Sequence, residues 1–448
     1  MKRFCTGCVS ALVTLGVIVA TWSSPAAAQG SKVARAKAVA ALAAPSVPAN
    51  ILQTAKKFKG QSIVFYGPNV GVELAAAKAL TKKFSQQTGV NVTFNPMPTS
   101  ATDQYANYQR LLTSGSSAID VIDMDVIWPG AFAPYLLNLK SAVASQTKGM
   151  YQYLIKNNTV NGKLVAMPWF ENHALLWYRK DLLTKYHIAA PPQTWDQMAA
   201  DATKIQAGER KTNKNFYGYV FQGNAYEGLT CNAMEWLASS GGGTITAKKQ
   251  VTINNPKAVA MLNKVRSWVG TISPTGVTGY QENDSMNAFA SGNAAFLRNW
   301  LYAGTVSGAP GSVIRGKFGA EALPAQPGQQ HVSTFGGSTL GVNKYSKHPG
   351  AATQFVRYMG SSAGETYWTI AAGDPPAVIS VHNNPAVQKV EPWLRIKEGG
   401  VARPSTALGV HYNQASTIIF QGINQILRGS NASSVLPGIK SQLQALMG

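Results

Sequence analysis

Apolar and polar residues follow two rhythms along this chain, one typical of buried strands and one of amphipathic helices. The run "QSIVFYGP" at 61–68 is apolar and ends in Gly-Pro, which predicts a buried strand. The segment "VELAAAKALTKKFSQQTG" has helical spacing and ends at Gly89, a residue suited to the left-handed position after a helix. Strand, helix and strand then follow over 90–128. This alternation predicts a doubly wound α/β sheet with parallel strands.

The same rhythm continues to the end of the chain. Apolar runs predict strands at 162–170, 172–179 and 336–346. Helical spacing predicts five further helices, at 194–208, 255–270, 286–296, 348–373 and 416–446. Thr194 is the predicted cap at the start of the first of them. Residues 29–59 are rich in alanine and contain two prolines, so we predict a leader or linker there, beside a loose helix.

The first 28 residues have the pattern of a secretory signal peptide. Lys2 and Arg3 precede an apolar run at 11–20, and alanines at 26–28 offer a cleavage site before Gln29. The run is too short to span a membrane, and no other stretch approaches about 18 unbroken apolar residues. We therefore expect a soluble, secreted protein.

Charge and cysteine content narrow the classes of partner. The chain has 40 basic and 19 acidic residues, a formal charge of +21. The basic residues are scattered and form no run of five, so we expect no nucleic-acid partner and a general surface charge suited to an anionic envelope. Once the signal is removed only Cys231 remains, which excludes an internal disulfide framework.

The acidic strand "VIDMDVIWPGAF" at 121–132 is the most conspicuous candidate site. In an extended strand, Asp123 and Asp125 point to the same face. Such a pair can hold a metal on a phosphorylated sugar, act as a catalytic dyad, accept hydrogen bonds from ligand hydroxyls, or cap the loop after the strand. The six histidines show no ligand-pair spacing, and no Walker loop, G-x-S-x-G elbow or H-E-x-x-H motif occurs. We therefore predict no metal site and no cofactor, and the other readings of the aspartate pair stay open at this point.

Other polar and aromatic residues stand out against apolar surroundings. Asn172 lies between two aromatic pairs, and Tyr226 and Glu227 open a predicted helix after a glycine-containing turn. Trp300 ends a predicted strand, where it is either a stacking plate for a ligand or a core residue. Arg403 precedes a proline in a late loop and is either a bidentate ligand contact or a surface residue.

Three motifs that follow one another along the chain give it a family resemblance. The segments "LLWYRKDLLTKYHIAAPPQTWDQMAADATKI", "MNAFASGNAAFLRNW" and "SKHPGAATQFVRYMGSSAGETYW" resemble the signatures of family 1 extracellular solute-binding proteins of sugar ABC transporters. Four shorter motifs, "MDVIW", "FQGNAYEGLTC", "FLRNW" and "ARP", make the chain most similar to the trehalose/maltose-binding branch. The resemblance covers residues 60–448.

The resemblance implies a type II periplasmic binding protein fold. Each of two lobes would be a mostly parallel sheet flanked by helices, and crossover hinge strands would join the lobes. The expected division is a signal peptide at 1–28, a leader or linker at 29–59, a first lobe at 60–170 and 334–376, and a second lobe at 171–333 and 377–448.

The resemblance also implies a set of ligand-binding residues. In such proteins the counterpart of Asp125 binds sugar hydroxyls, a short polar residue at Asn172 does so near the hinge, Trp300 stacks on a glucose ring and Arg403 reaches in from the last segment. Asp123 is then expected only to cap its own loop. The full predicted set is Glu73, Asp125, Asn172, Tyr226, Glu227, Trp300, Gly337, Ser338 and Arg403.

Two departures from the family pattern leave the sugar open. Asn172 stands where some relatives have Asp, and Ser338 stands where some have a second tryptophan. The function implied is a monomeric, non-enzymatic, periplasmic binding component of an ABC importer, which takes a trehalose-like or maltose-like disaccharide and delivers it to a membrane permease. The alternatives are a secreted carbohydrate-active enzyme that uses Asp123 and Asp125, or a binding protein for another solute such as a glycerophosphodiester or a polyamine.

Overall fold

The structure is a computed structural model that describes residues 43–246 and 248–447. The predicted signal peptide, including Cys5 and Cys8, lies outside these residues. Within them, no helix combines the length and the apolar character needed to cross a lipid bilayer.

Thirteen strands form two larger sheets and two small ones among the described residues. The strands are β1 (Ser62–Gly67), β2 (Asn91–Pro96), β3 (Val121–Asp125), β4 (Thr159–Val160), β5 (Lys163–Leu164), β6 (Met167–Asn172), β7 (Ala174–Arg179), β8 (Tyr217–Val220), β9 (Ala294–Trp300), β10 (Phe318–Glu321), β11 (Val332–Thr334), β12 (Gly336–Val342) and β13 (Gly399–Val401).

Helices pack on both larger sheets. They are α1 (Ala49–Ala55), α2 (Glu73–Thr88), α3 (Ala101–Thr113), α4 (Pro129–Phe132), α5 (Ala144–Thr147), α6 (Gln152–Asn157), α7 (Lys180–Lys185), α8 (Trp195–Glu209), α9 (Glu227–Ala238), α10 (Pro256–Trp268), α11 (Glu282–Ala290), α12 (Tyr302–Gly308), α13 (Pro349–Met359), α14 (Ser362–Ala372), α15 (Ile379–His382), α16 (Pro385–Val390), α17 (Ser405–Leu408), α18 (Tyr412–Leu427) and α19 (Ala432–Met447).

The first sheet has the strand order β2-β1-β3-β12-β6, and the second has β10-β7-β9-β8. We call each sheet with its helices a lobe. β1 pairs in parallel with β2 and β3, whereas β12 runs antiparallel to β3 and β6. In the second sheet only β8 and β9 are parallel. The sheets are therefore mixed rather than mostly parallel, because β12 in the first sheet and β7 in the second pair with both of their neighbours in the antiparallel sense.

Two strand pairs carry the chain directly between the lobes. β6 of the first sheet ends at Asn172, and β7 of the second sheet begins at Ala174. In the other direction, β11 ends at Thr334 and β12 begins at Gly336. These short connections are where predicted hinge strands would lie, and the lobe boundaries given above stay a prediction.

Local signals explain where several helices begin and end. Thr194 caps α8 in a full capping box, as predicted, and Gly89 ends α2 with a φ of 75°. The helix predicted over 348–373 is instead two helices, because the Ser361 hydroxyl caps a second one by accepting a hydrogen bond from the Gly364 N–H at 3.1 Å. The terminal helix is likewise broken, near Gly429, whose φ is 118°.

The helix predicted over 286–296 is wrong in its second half. α11 ends at Ala290, Gly292 turns the chain with a φ of 81°, and β9 begins at Ala294. The apolar residues at 294–296 belong to the central strand of the second sheet, where both faces are buried, so their spacing does not distinguish strand from helix.

The described end of the predicted leader is part of the first lobe rather than a loose linker. Val47 and Ile51 are buried in its core. The Tyr358 hydroxyl donates a hydrogen bond to the Pro45 carbonyl at 2.8 Å, and the Val47 N–H donates to the Gln87 side chain at 2.7 Å. The apolar positions of α1 therefore have a partner surface that the sequence pattern alone did not reveal.

Candidate functional site

A cavity opens between the two lobes, at the carboxyl ends of β1 and β3. Its empty volume is about 810 Å³, within the range of roughly 300–1,000 Å³ typical of small-molecule sites. This is the edge of an α/β sheet at which ligands ordinarily bind. Eight of the nine residues predicted from the sequence line it: Glu73, Asp125, Asn172, Glu227, Trp300, Gly337, Ser338 and Arg403.

Tyr226 is the one predicted residue that does not line the cavity. It is buried, and its hydroxyl donates a hydrogen bond to Glu282 Oε2 at 2.6 Å. Glu282 itself lines the cavity, so Tyr226 holds a wall residue from behind. Sequence inspection did not single out Glu282, whose position at the first turn of α11 is ordinary for an acidic residue.

Arg403 joins carboxylates that belong to different parts of the site. Its guanidinium forms a two-pronged contact with Asp125, with NH1 at 2.8 Å from Oδ2 and NH2 at 2.5 Å from Oδ1. NH1 also lies 3.0 Å from Glu227 Oε1. Glu227 accepts further hydrogen bonds from the Tyr412 and Ser416 hydroxyls, each at 2.6 Å. Asp125, predicted to accept from a ligand, therefore has both oxygens engaged by Arg403.

The Nε donor of Arg403 has no hydrogen-bond partner among the described residues. This Nε atom is buried, whereas NH1 and NH2 are committed to Asp125 and Glu227. A buried N–H group without a partner is costly, and Arg403 lines the cavity. This N–H group therefore has an unmet hydrogen bond in a residue that lines the cavity.

The loop after the acidic strand is capped by Asp125 and not, as expected, by Asp123. Asp125, at the last position of β3, caps the loop by accepting a hydrogen bond from the Ile127 N–H at 3.3 Å. Asp123 does not cap a loop, because it lies inside the strand, where its Oδ1 accepts a hydrogen bond from the Ser338 hydroxyl of β12. Burial, and then the nearby Asp125 carboxylate, raises the pKa of Asp123 well above its ordinary value.

A second acidic group lies deeper in the first lobe. Asp374 accepts a hydrogen bond from the Asn172 side-chain amide at 2.8 Å and one from the Trp368 indole N–H at 3.1 Å. It also hydrogen-bonds with the Glu73 carboxyl group. Burial raises the pKa of Glu73 well above its ordinary value, and it raises the pKa of Asp374 to about 7. Asp374 was not among the predicted residues; its Gly-Asp-Pro-Pro turn is the sequence signal that could have pointed to it.

Asn172 connects the acidic group to the hinge. Its Oδ1 accepts hydrogen bonds from the His173 N–H at 3.0 Å and from the Leu301 N–H at 3.3 Å. Leu301 directly follows β9 of the second sheet. One amide therefore bridges both lobes, close to the point where the chain crosses between them.

Trp300 forms an aromatic wall that is fixed on several sides. The Arg298 guanidinium carbon lies 4.2 Å from its ring centre, and Glu282 forms a hydrogen bond with its side chain. Arg298 is fully buried and is itself held by Glu235 in an ion pair of 2.5 Å. Gly336 leaves room for the ring, since an added Cβ would lie 3.0 Å from it. The ring is half-buried and lines the cavity, so it is not an ordinary core tryptophan.

Three hydrogen bonds join the lobes near the cavity mouth. The Glu227 N–H donates to Thr102 Oγ1 at 3.1 Å. The Thr99 hydroxyl donates to Gln281 Oε1 at 3.2 Å, and the Gly71 N–H donates to the Asn283 side chain at 3.3 Å. In each pair one partner follows a strand of the first sheet and the other follows a strand or turn of the second, so the lobes are closed over the cavity.

The cavity wall is rich in carboxyl groups and poor in cations. Glu73, Asp123, Asp125, Glu227 and Glu282 line it, and Arg403 is the one basic residue in the described lining. Among the described residues, no group of three His, Cys, Asp or Glu side chains is arranged to hold a metal ion. Hydroxyl-bearing neutral molecules suit such a wall, because carboxylates accept strong hydrogen bonds from hydroxyls.

Comparison with known proteins identifies the family. The sequence pattern of the family described as bacterial extracellular solute-binding proteins matches residues 67–366. A probable ABC transporter-binding protein of Deinococcus radiodurans is 39% identical over 394 residues, which cover 86% of this chain and 94% of that protein. The maltodextrin-binding protein MdxE of Bacillus subtilis is 25% identical over 266 residues, which cover 57% of this chain and 60% of that protein.

A solved structure gives the same result for the fold. Maltose-bound MalE3 of T. maritima superposes with a TM-score of 0.81 at 33% sequence identity, covering 86% of this chain and 100% of that chain. The two-lobed type II fold that the sequence motifs implied is thereby confirmed, and so is the family resemblance. The chain belongs to the bacterial extracellular solute-binding proteins.

Proposed function

We propose that this protein is the periplasmic substrate-binding component of an ABC importer and that it binds a trehalose-like or maltose-like disaccharide between its two lobes. It acts as a monomer, has no catalytic activity, and delivers the sugar to a membrane permease. The observation that carries this proposal is that the fixed ring of Trp300 and five carboxyl groups line one cavity between the two lobes.

Each part of the cavity suits one feature of a sugar. An indole ring packs against the apolar face of a pyranose, and its rigidity limits the entropy lost on binding. Asp123 and Glu73 are available as acceptors for hydroxyl groups, while Arg403 Nε is available as a donor. Asp125 then acts through Arg403, which it holds in place. Ser338, in place of a second aromatic plate, makes the site more open on the side of the first sheet.

The relatives support a sugar as the ligand class. MalE3 of T. maritima was solved with maltose bound, and MdxE of Bacillus subtilis is named for maltodextrin. The relative from Deinococcus radiodurans is described as belonging to an ABC transporter. These names, together with the predicted signal peptide, favour a secreted binding protein over an enzyme.

The charge of the cavity separates the alternative ligands. A phosphodiester would meet several carboxyl groups and one arginine that is already paired twice. That arrangement disfavours an anion. A polyamine would find carboxylates, but the Arg298 cation lies behind Trp300 and weakens the attraction of the ring for a second cation. A neutral polyhydroxylated ligand meets neither difficulty.

Closure would couple binding to transport. The Glu227 N–H donates a hydrogen bond to Thr102, and the Thr99 hydroxyl donates one to Gln281; both bonds form only when the lobes approach each other. A ligand that contacts both lobes favours the closed form by the difference in its affinity for the two forms. The closed form is then the one presented to the permease.

A thermal-shift and calorimetric screen tests the proposal. The compounds are trehalose, maltose, sucrose, glycerophosphocholine and spermidine, each with and without a divalent metal, and the mixtures are then assayed for cleaved sugar. Saturable binding of an intact disaccharide is expected. Metal-dependent cleavage or transfer would instead establish the enzyme alternative with Asp123 and Asp125, and preferential binding of the phosphodiester or the amine would replace the sugar.

A further inference from the structure

Basic charge is concentrated in the N-terminal part of the chain. The first 72 residues contain eight basic residues and no acidic one, and the first acidic residue of the chain is Glu73. Glu73 is buried in the cavity wall, so it does not compensate this charge at the surface. The sugar-binding function proposed above gives this asymmetry no role.

Six lysines of the first lobe lie on one neighbouring pair of elements. Three follow α1 in a short 3-10 turn and its end, and three lie on α2; we call them the lysine face: Lys56, Lys57, Lys59, Lys78, Lys82 and Lys83.

Contacts between the two elements hold the lysine face together. The Gly60 N–H donates to the Gly89 carbonyl at 2.8 Å, and the Lys59 stem packs beside Gly89 at the end of α2. On α2, Lys78 and Lys82 are four residues apart and both exposed, so they lie on the solvent stripe opposite the buried positions of the helix.

Acidic side chains do not neutralise this face. Of the eight acidic residues in the described stretches 43–172 and 336–376, Asp103 is the only exposed one. None of the six lysines forms an ion pair within the part of the chain that the structure describes. The face therefore presents several unpaired ammonium groups to the solvent.

The lysines of α2 lie beyond the first turn of this helix, which is the turn that borders the sugar cavity. Helix α2 begins at Glu73 in the cavity wall and runs to Thr88, and Lys82 lies nine residues along it. At about 1.5 Å per residue, this places Lys82 roughly 14 Å from the cavity end of the helix. A partner on the lysine face would leave the mouth between the lobes free.

We propose that the lysine face is a docking surface for an anionic phospholipid bilayer, whose headgroup phosphates pair with the ammonium groups. Clustered lysines are attracted to such a surface over a Debye length, about 10 Å at 0.1 M salt. Docking keeps the protein close to the membrane that holds its permease, with the sugar cavity still accessible. This proposal does not depend on the identity of the solute.

Vesicle sedimentation tests the proposal with a chain that begins at Gln29 and so contains every described residue. The vesicles are made of phosphatidylcholine alone or with added phosphatidylglycerol. The test variant replaces five exposed lysines of the lysine face by glutamine: Lys56→Gln, Lys57→Gln, Lys59→Gln, Lys78→Gln and Lys82→Gln. The control variant makes the same change at five exposed lysines of the second lobe: Lys204→Gln, Lys211→Gln, Lys214→Gln, Lys257→Gln and Lys317→Gln.

Binding to the anionic vesicles is expected for the native chain and the control, and it should disappear in 1 M salt, where the Debye length is about 3 Å. Each lysine near an anionic surface strengthens binding by about five-fold, so the test variant should lose on the order of 100-fold or more. Two half variants, one at positions 56, 57 and 59 and one at positions 78 and 82, should give intermediate losses of binding. They keep the proposal testable if the full variant does not fold. Thermal melting followed by circular dichroism shows whether each variant is folded.

Two results would overturn the proposal. One is the absence of binding of the native chain to phosphatidylglycerol vesicles at low salt. The other is an equal loss in the test and control variants, which would assign the binding to net charge instead of the lysine face. Sugar binding by calorimetry is expected to be the same in all variants, so a failed sugar proposal would be visible separately.

Discussion

Removing the positive charge of Arg403 should destabilise the closed protein strongly. We consider Arg403→Met, which keeps an unbranched side chain and removes the guanidinium. In the native chain this group makes three charge-assisted contacts of 2.5–3.0 Å with Asp125 and Glu227. Without it, two carboxylates remain close together with no cation between them.

The magnitude follows from how buried the partners are. Removing one member of a buried ion pair costs about 3–5 kcal/mol, because the other charge is left without compensation. The exposed fraction of the side chain is 2% for Arg403 and 6% for Glu227, but 17% for Asp125. Asp125 can thus be partly solvated, and Glu227 keeps its bonds from Tyr412 and Ser416. We therefore expect a loss of about 3 kcal/mol in the free energy of unfolding.

The pH dependence of the loss gives a second check. Burial already raises the pKa of Glu227 in the presence of Arg403, and removal of the arginine raises this pKa further. As pH falls, Glu227 takes up a proton more readily in the variant than in the native chain, which relieves the uncompensated charge. The difference in unfolding free energy between variant and native chain should shrink from pH 7.5 to pH 5.

Urea unfolding followed by circular dichroism measures both effects, with Lys264→Met as the matched control. Lys264 pairs with Asp196 at 2.5 Å, but their side chains are 29% and 64% exposed, and exposed pairs contribute about 0–1 kcal/mol. A loss below about 1 kcal/mol for Arg403→Met, equal to that of the control, would refute the assignment of Arg403 as the buried bridge of the site.

Three further predictions concern the cavity wall. Trp300→Ala should weaken binding of the preferred disaccharide by about 30-fold, from about 2 kcal/mol of lost stacking and buried area, as measured by calorimetry. Burial raises the pKa of Asp374 to about 7 and also raises the pKa of Glu73. The folded protein therefore keeps protons that the unfolded chain releases near pH 4, and the free energy of unfolding falls as pH rises from 4 to 7. Glu73→Gln should reduce this fall by on the order of 1 kcal/mol in urea unfolding at pH 5 and 8; an unchanged fall would contradict the coupling of the two carboxyl groups. Gly337 has a φ of 116°, and an added Cβ would lie 2.4 Å from a backbone oxygen, so Gly337→Ala should cost about 1–3 kcal/mol in thermal unfolding, clearly more than Gly328→Ala, where φ is 77° and the space is open.

Local signals in the sequence predicted much of the fold. The glycine that ends α2 and the capping box of α8 act over a few residues, so their outcome does not depend on the rest of the chain. The continuous apolar pattern at 286–296 failed because a helix and a central strand bury similar residues, and only the turn at Gly292 separates them. The packing of α1 on the first lobe depends on contacts with Gln87 and Tyr358, which no local pattern encodes.

The site was predictable as a set of residues but not as a network. The family motifs named eight residues that line one cavity. The partners of these residues lie far away in the sequence: Arg403 is 278 positions from Asp125, and Asp374 is 202 positions from Asn172. Which carboxylate faces a ligand and which holds an arginine depends on such distant pairs. The loop cap expected of Asp123 is likewise made by Asp125.

Sugar binding between the lobes is tested most directly by isothermal titration calorimetry, in which trehalose or maltose is titrated into the chain that begins at Gln29. Small-angle X-ray scattering before and after addition of the sugar shows whether the lobes close. The account predicts one saturable site per chain with micromolar or tighter affinity for one of them, about −8 kcal/mol or more favourable, and a more compact particle in its presence. No binding of either disaccharide, or binding that persists unchanged in Trp300→Ala and leaves the scattering profile unaltered, would contradict it.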